Sequence, residues 1–527
     1  MDFIKDETHL GLLSLSRSWS LVILATSLPI YAYFHLTRPK LPLPPSPPKH
    51  WIRGNTDQLG LPHRYVVFAT EHKEKYGDII SLTTPNETQI ILNTAELASE
   101  LLDKQSAHTS DRIYSVMVND IMNWGVSVAF HPYNERLKKA RRVIASALHL
   151  TAAKSYASQH YESTLGLIHM IIASPDDYQK HINWVTGAFI LGLTYGYNAI
   201  DDDPMLKLVR VAISYLRKGL SKLYWVNYFP ALKHIPAWVP GAGFQVIGRE
   251  GRYYRNRMVN ELFDEVFDQV RRGQVKQPSY TSKLIEEKGG ASITEEDITL
   301  IRITAGSMYT AGSTTTVAVI VAFILEMALH PEIANAARAE IDSVVDRDRL
   351  PILSDRESLP FFEAVLLEIM RLWPPAPLGI AHCTSQEVEF RGYRIPKGAT
   401  VYSNIWAITH DPALYSSPHT FNPHRFLKPL PDPDPRKYIF GFGKRICPGV
   451  NVANNSTFVM CAGLLSVFDM VPTPELAEKI QALGGRNSFE LYKLFSPFSL
   501  VLDMLSLPIT FQLRDAAATA LVEGTRK

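Results

Sequence analysis

Three long apolar runs divide the chain, and each calls for different surroundings. Trp19 to Leu36 holds no Asp, Glu, Lys or Arg over 18 residues, close to the lower limit for a helix that spans a bilayer. No small-residue cleavage site follows it, which favours an anchor over a signal peptide. Lys5 and Arg17 precede the run, whereas Arg38, Lys40, Lys49 and Arg53 follow it more densely. That asymmetry places the bulk of the chain on the cytosolic side. The second run, Ile303 to Leu325, is also uncharged, but its middle is rich in glycine and hydroxyls from Gly306 to Thr316. Thr294-Glu295-Glu296-Asp297 opens it as a helix cap and His330-Pro331 closes it. This predicts a helix buried on every face in the centre of a large fold rather than a second membrane span. The third run, Val450 to Phe468, predicts another helix.

Between these runs, six prolines from Pro39 to Pro48 exclude helix and sheet and predict a stiff spacer. Ile79–Thr83 and Gln89–Leu92, joined through Pro85-Asn86, predict a hairpin. Val388–Arg394 and Ala399–Ser403 alternate like short strands. An apolar segment at Leu494–Leu505 fits a pocket lining, a membrane contact or an error in the gene boundary equally well. The expected fold class is therefore mainly α with a small β region. The expected organisation is a tail over 1–18, an anchor over 19–36, a hinge over 37–50 and a remainder over 51–527 that could be one large domain or several. With 46% hydrophobic residues the chain can bury a large core. A net charge of +2 without a charged block gives no reason to expect a nucleic-acid partner. Three scattered cysteines do not make a disulfide framework and point to a reducing compartment.

The candidate chemistry lies at Phe440-Gly441-Phe442-Gly443-Lys444-Arg445-Ile446-Cys447-Pro448-Gly449. One cysteine stands in a glycine-rich loop just before the third helix. The N–H groups and positive end of that helix favour a thiolate, and Gly443 and Gly449 are expected to give positive-φ backbone around the sulfur. A structural zinc site needs several Cys or His at short spacing, which this loop lacks.

Phe440, Gly443, Arg445, Cys447 and Gly449 match F-x-x-G-x-R-x-C-x-G, and the chain thereby resembles the cytochrome P450 family. The resemblance implies the P450 fold with one N-terminal transmembrane helix, and a haem-thiolate catalytic domain over 51–527. It implies haem b with Cys447 as the axial iron ligand. Arg141 matches the arginine of the family's W-x-x-x-R helix, with Leu137 in place of the tryptophan; it and His382 are expected at haem propionates. Ala311-Gly312-Ser313-Thr314-Thr315-Thr316 resembles A/G-G-x-D/E-T-T. Thr315 matches the threonine that relays protons in oxygen activation, while Thr314 replaces the acidic residue before it. Glu368 and Arg371 fit E-x-x-R on a helix flanked by Phe361, Phe362 and Val365, with Arg425 as the expected third member of a buried ion-pair group that supports folding. The aromatic stretches Tyr224–Pro230 and Ile235–Phe244 match the family's substrate entrance at the membrane surface.

Ser110-Asp111-Arg112, Pro240–Phe244 and Asn404–Ala407 are similar to the fungal branch typified by O-methylsterigmatocystin oxidoreductase. The implied activity is monooxygenation of a hydrophobic small molecule with O2. The chain has no flavin or nicotinamide fingerprint, so the implied partner is an NADPH-dependent cytochrome P450 reductase, with Lys444 and Lys138 as expected contacts. The implied location is the endoplasmic reticulum membrane, single-pass, facing the cytosol. Two alternatives stay open here: a haem-thiolate isomerase or dehydratase that consumes no O2, and a non-catalytic membrane-anchored haem protein.

Overall fold

Helices form where the caps and apolar periodicities lie, and they dominate the computed structural model, which describes residues 41–85, 87–221, 224–498, 500–503, 505 and 507–525. Helix α1 (Glu135–Leu148) is capped by Asn134, whose side chain accepts from the Leu137 N–H. It is followed by α2 (Ala157–Ala173), α3 (Tyr178–Tyr195), α4 (Pro204–Ser221) and α5 (Phe244–Arg271). Helix α6 (Glu295–Leu329) starts where the Thr294 hydroxyl accepts from the Asp297 N–H at 3.2 Å. It ends at His330, because the proline that follows has no N–H and opens the next helix. Helices α7 (Pro360–Leu372) and α8 (Val450–Val467) complete the frame.

Residues 318–329 of α6 are all buried, and α6 packs against α1, α3, α5, α7 and α8. In the most apolar 18-residue window of α6, 72% of the residues are buried within the protein, and 78% in that of α8. Their hydrophobicity is spent on the core. One core cluster joins Phe323, Phe362, Phe458 and Trp373; a second joins Trp124, Ile144, Phe263, Tyr309 and Val452.

The β region is small. Strands β1 (Ile79–Thr84) and β2 (Glu87–Leu92) pair antiparallel, with Ile80 opposite Ile91. Strands β3 (His382–Cys383), β4 (Val388–Phe390), β5 (Tyr393–Ile395) and β6 (Thr400–Ser403) follow. Strand β6 lies parallel to β2 and antiparallel to β3, giving the order β1-β2-β6-β3. The single strand expected over 388–394 is instead a hairpin, turned by Arg391 and Gly392 at φ 52° and 78°. Strands β7 (Phe468–Pro472) and β8 (Ile509–Leu513) pair antiparallel. The segment after Leu494 joins the core: Phe495 packs 4.7 Å from Trp373, and the Leu502 N–H donates to the Pro375 carbonyl.

The chain divides into two units. Among the described residues, the smaller takes 41–43 with Glu389–Ile395, and within it the Arg394 N–H donates to the Pro42 carbonyl. The larger takes those of 44–388 and 396–525. Within the larger, the Pro44 and Pro45 carbonyls accept from Ser81, so this part of the expected spacer runs along β1. The expected tail, the anchor over 19–36 and the first residues of the hinge lie outside the described residues.

Candidate functional site

The Cys447 loop takes its shape from Gly441 and Gly443, at φ 82° and 53°. A Cβ on Gly443 would sit 2.2 Å from the Leu102 carbonyl oxygen, so the loop is pressed against that backbone. The Gly443 N–H donates to Asp103 Oδ1 at 2.6 Å, and the Cys447 N–H donates to the Phe440 carbonyl at 2.8 Å. Gly449 departs from expectation: its φ is −89°, and a Cβ there would meet the sulfur at an ordinary 3.8 Å. Its contribution is its N–H. Burial pushes the Cys447 thiol up, and the Gly449 N–H and the Arg141 charge oppose that shift. The residue stands three positions before α8, as the sequence predicts.

Around the loop gathers a set of cations. Arg445 is buried; its Nε donates to Ser110 O at 2.7 Å and its Nη2 to His131 O at 2.6 Å. Arg112 donates through Nε to Ala129 O, and through Nη1 to both Ile380 O and Ala381 O at 2.7 Å. Arg141 donates through Nη2 to Ile446 O at 2.6 Å, next to the cysteine. Burial first, and then the Arg445 and Arg141 charges, hold Arg112 well below the usual guanidinium range. Burial and Arg141 push Arg445 down to about 10. His382, whose Nδ1 lies 2.9 Å from Thr109 O, is pushed down to about 3 by burial, Arg112 and Arg445, and is therefore neutral. The carboxylate that offsets Arg112 and Arg445 is Asp111.

Three guanidinium groups in mutual repulsion with one carboxylate among them form a site that needs anions. The Ser110 hydroxyl, buried without a partner, adds a free donor beside Arg445. This donor set fits the two carboxylates of a haem placed over Cys447. Arg112 was not among the residues expected here. It figured only in the branch signature Ser110-Asp111-Arg112, and its partners at Ile380 and Ala381 lie too far along the chain to be read from spacing.

Helix α6 carries the other stretch singled out by the sequence. Ala311 is exposed and Gly312, Thr314 and Thr315 are half-buried, in contrast to the sealed segment after them. A Cβ on Gly312 would fall 2.7 Å from the terminal Cδ1 of Ile190 of α3, which would have to turn aside. Thr315 Oγ1 back-bonds to Ala311 O at 3.3 Å. Thr314 brings no carboxylate to this stretch.

The buried ion-pair group takes the expected form. Glu368 Oε2 and Oε1 accept from Arg371 Nε at 2.7 Å and Nη2 at 2.8 Å, and Arg425 Nε donates to Glu368 Oε1 at 3.1 Å. All three are at most 1% exposed, and Asp432 joins as a fourth member at 3.1 Å from Arg425. Lys444 and Lys138 lie together, their ammonium groups 4.9 and 5.4 Å from the ring centre of Tyr133.

Comparison with known proteins agrees with this geometry. Residues 44–485 match the sequence profile of the family described as Cytochrome P450. The chain is 33% identical over 525 residues to cytochrome P450 monooxygenase COX1 of Coprinopsis cinerea, covering 95% of this chain and 99% of that protein. It is 34% identical over 435 residues to cytochrome P450 monooxygenase 208 of Postia placenta, covering 81% and 84%. It is 33% identical over 441 residues to tryptamine 4-monooxygenase of Psilocybe cyanescens, covering 81% and 86%. The chain belongs to the cytochrome P450 family, and it does so as a monooxygenase.

Proposed function

We propose that the protein inserts one oxygen atom of O2 into a hydrophobic small molecule: a terpenoid, polyketide, indole or aromatic xenobiotic. The observation that carries this reading is the Cys447 loop set among three guanidinium groups that only one carboxylate, Asp111, offsets. Cys447 would be the axial iron ligand, with the Gly449 N–H and Arg141 stabilising its thiolate. Arg445, Arg141, Arg112 and His382 would hold the propionates, and the Phe440 carbonyl, which accepts from the Cys447 N–H, would help hold the loop around the sulfur. When bound, the haem supplies O2 activation and oxygen transfer. The chain's own part is then to bind substrate, exclude water and deliver protons. Thr315 Oγ1, only loosely held at 3.3 Å, is free to turn and hold a water. Thr314 has no acidic proton to feed that water, so proton delivery is slow and part of the NADPH ends as hydrogen peroxide.

The electrons come from a separate NADPH-cytochrome P450 reductase, docking on the face that carries Lys444 and Lys138 beside Tyr133. Residues 19–36 form a single anchor in the endoplasmic reticulum membrane, after a tail over 1–18. A hinge over 37–50 leads to the catalytic domain over 51–527 on the cytosolic side. The relative named tryptamine 4-monooxygenase supports an aromatic substrate within this class. The test is the carbon monoxide difference spectrum. The reduced protein should give the band of thiolate-ligated haem and Cys447→Ala should lose it; a variant that kept the band would overturn the assignment.

A further inference from the structure

A cleft of about 700 Å³ opens between the 114–132 segment, the turn bearing Lys233 and His234, and the first turns of α5. Its size suits a small organic ligand, but such sites are mostly apolar with a few polar groups. This one is charged. Lys233, Arg249 and Arg252 face a single carboxylate, Asp120, which leaves two positive charges in excess before His234 is counted.

The charges divide into those held by the protein and those left over. Asp120 accepts from the Tyr114 hydroxyl and from Lys233 Nζ at 2.9 Å. Arg252 is tied to the wall through Ile121 O at 2.8 Å and Asp120 O. Arg249 and His234 have no side-chain partner among the described residues. On the inner wall, His131 Nε2 is buried without a partner. Behind the cleft stands a further cation, Arg255, only 6% exposed. Its Nη1 donates to Asn256 Oδ1 at 3.1 Å, and Asn123 of the cleft reaches the same oxygen at 3.5 Å. A low-dielectric cleft lined by one sign of charge concentrates its field on the opposite sign.

We infer that this cleft recognises the acidic group of a small molecule, a carboxylate or a phosphate monoester, with Arg249 as the free fork and Lys233 and His234 beside it. Two sources present that chemistry: the acid end of the oxygenase substrate, which rests on the function proposed above, and a separate soluble acid. The cleft adjoins the cation set at the candidate haem site, because the carbonyl of its lining residue His131 accepts from Arg445 Nη2 at 2.6 Å.

The full-length holoenzyme is titrated by calorimetry with 4-phenylbutyrate, its methyl ester and phenyl phosphate. Both anions should bind about tenfold tighter than the ester at low salt, the size of one charge-assisted hydrogen bond, and the advantage should shrink as salt rises. Arg249 is exposed and partnerless, so Arg249→Gln should fold normally and lose the preference, while Arg249→Lys keeps part of it. A Soret spin-state shift with 4-phenylbutyrate that Arg249→Gln removes identifies the acid as the substrate's own. Tight phenyl phosphate binding with no acid-dependent shift identifies a separate soluble acid. Equal binding of acid and ester, or a preference that survives in both Arg249→Gln and Arg249→Gln/Lys233→Gln, overturns the inference. Calorimetry reads the cleft directly, so its failure stays distinct from a missing carbon monoxide band.

Discussion

Arg112 stands among like charges, with the Arg445 and Arg141 guanidiniums near it and Asp111 as the offsetting group. An anion held there would relieve that repulsion, and the proposed propionate is one. Arg112→Leu should lower haem retention about tenfold or more, read as the Soret-to-protein absorbance ratio of the purified protein. Normal retention would remove Arg112 from the propionate site. Cys447, Arg445 and Arg141 were legible because they stand in short motifs, where identity and spacing suffice. Arg112 was not, since its meaning depends on carbonyls 268 and 269 residues away. Gly449 was misread for a related reason: a motif glycine suggests positive φ, but only coordinates show that Gly441 takes that role. At Thr314 a hydroxyl replaces the usual carboxylate in an accessible stretch of α6. Thr314→Asp, assayed with reductase on a panel of hydrophobic substrates, should raise product per NADPH and lower hydrogen peroxide. Unchanged coupling would mean that protons arrive by another route.

The two core helices α6 and α8 were legible to within a few residues, α6 because its stops are chemical, with Thr294 as cap and Pro331 as terminator. Helices α2 to α5 were not among the expected elements. The hairpin at Arg391-Gly392 was missed because alternation on both sides masked the turn, although Gly392 marked it. The helix Ala516–Gly524 was also missed, though Asp515 caps it. Two predictions belong at this scale. Gly443→Ala demands positive φ and drives a methyl into the Leu102 carbonyl; it should destabilise the protein by roughly 1–3 kcal/mol in thermal unfolding. Gly449→Ala, with ordinary φ and contacts, should unfold near the wild-type temperature. The second prediction concerns His160 of α2, which is fully buried, stacked 4.5 Å from Phe189 of α3 and 3.2 Å from Ser456 of α8. Burial pushes it down to about 4 from an ordinary 6.5. The unfolded chain therefore binds the extra proton first, and the stability that depends on a neutral His160 is complete above pH 6.5. It is lost as pH falls toward 4, by roughly 3 kcal/mol in all. A His160→Asn variant should show a flatter dependence of melting temperature on pH over that range; an identical slope would mean that other groups set acid stability.

At the scale of the whole molecule, the proposed membrane association would separate into an anchor and a surface. Of the helices apolar enough to cross a bilayer among the described residues, α6 and α8 are consumed by the core, so neither can serve as a span without unfolding it. What the larger unit does present is aromatic: Trp225 is 71% exposed, Phe229 57% and Trp238 82%, with Trp225 and Phe229 stacked 6.1 Å apart. Large rings of this kind partition into the headgroup region, where they bind reversibly rather than permanently. Deleting residues 1–36 should therefore move most of the protein from the pellet to the supernatant in a carbonate wash. The truncated form should still float with lipid vesicles at neutral pH. Adding Trp225→Ala and Trp238→Ala should abolish that flotation without changing the carbon monoxide spectrum, because both side chains point into solvent and leave the core intact. A truncated protein that stays in the pellet after carbonate treatment would show that a second segment inserts. Flotation that survives both tryptophan changes would move the contact surface away from this patch.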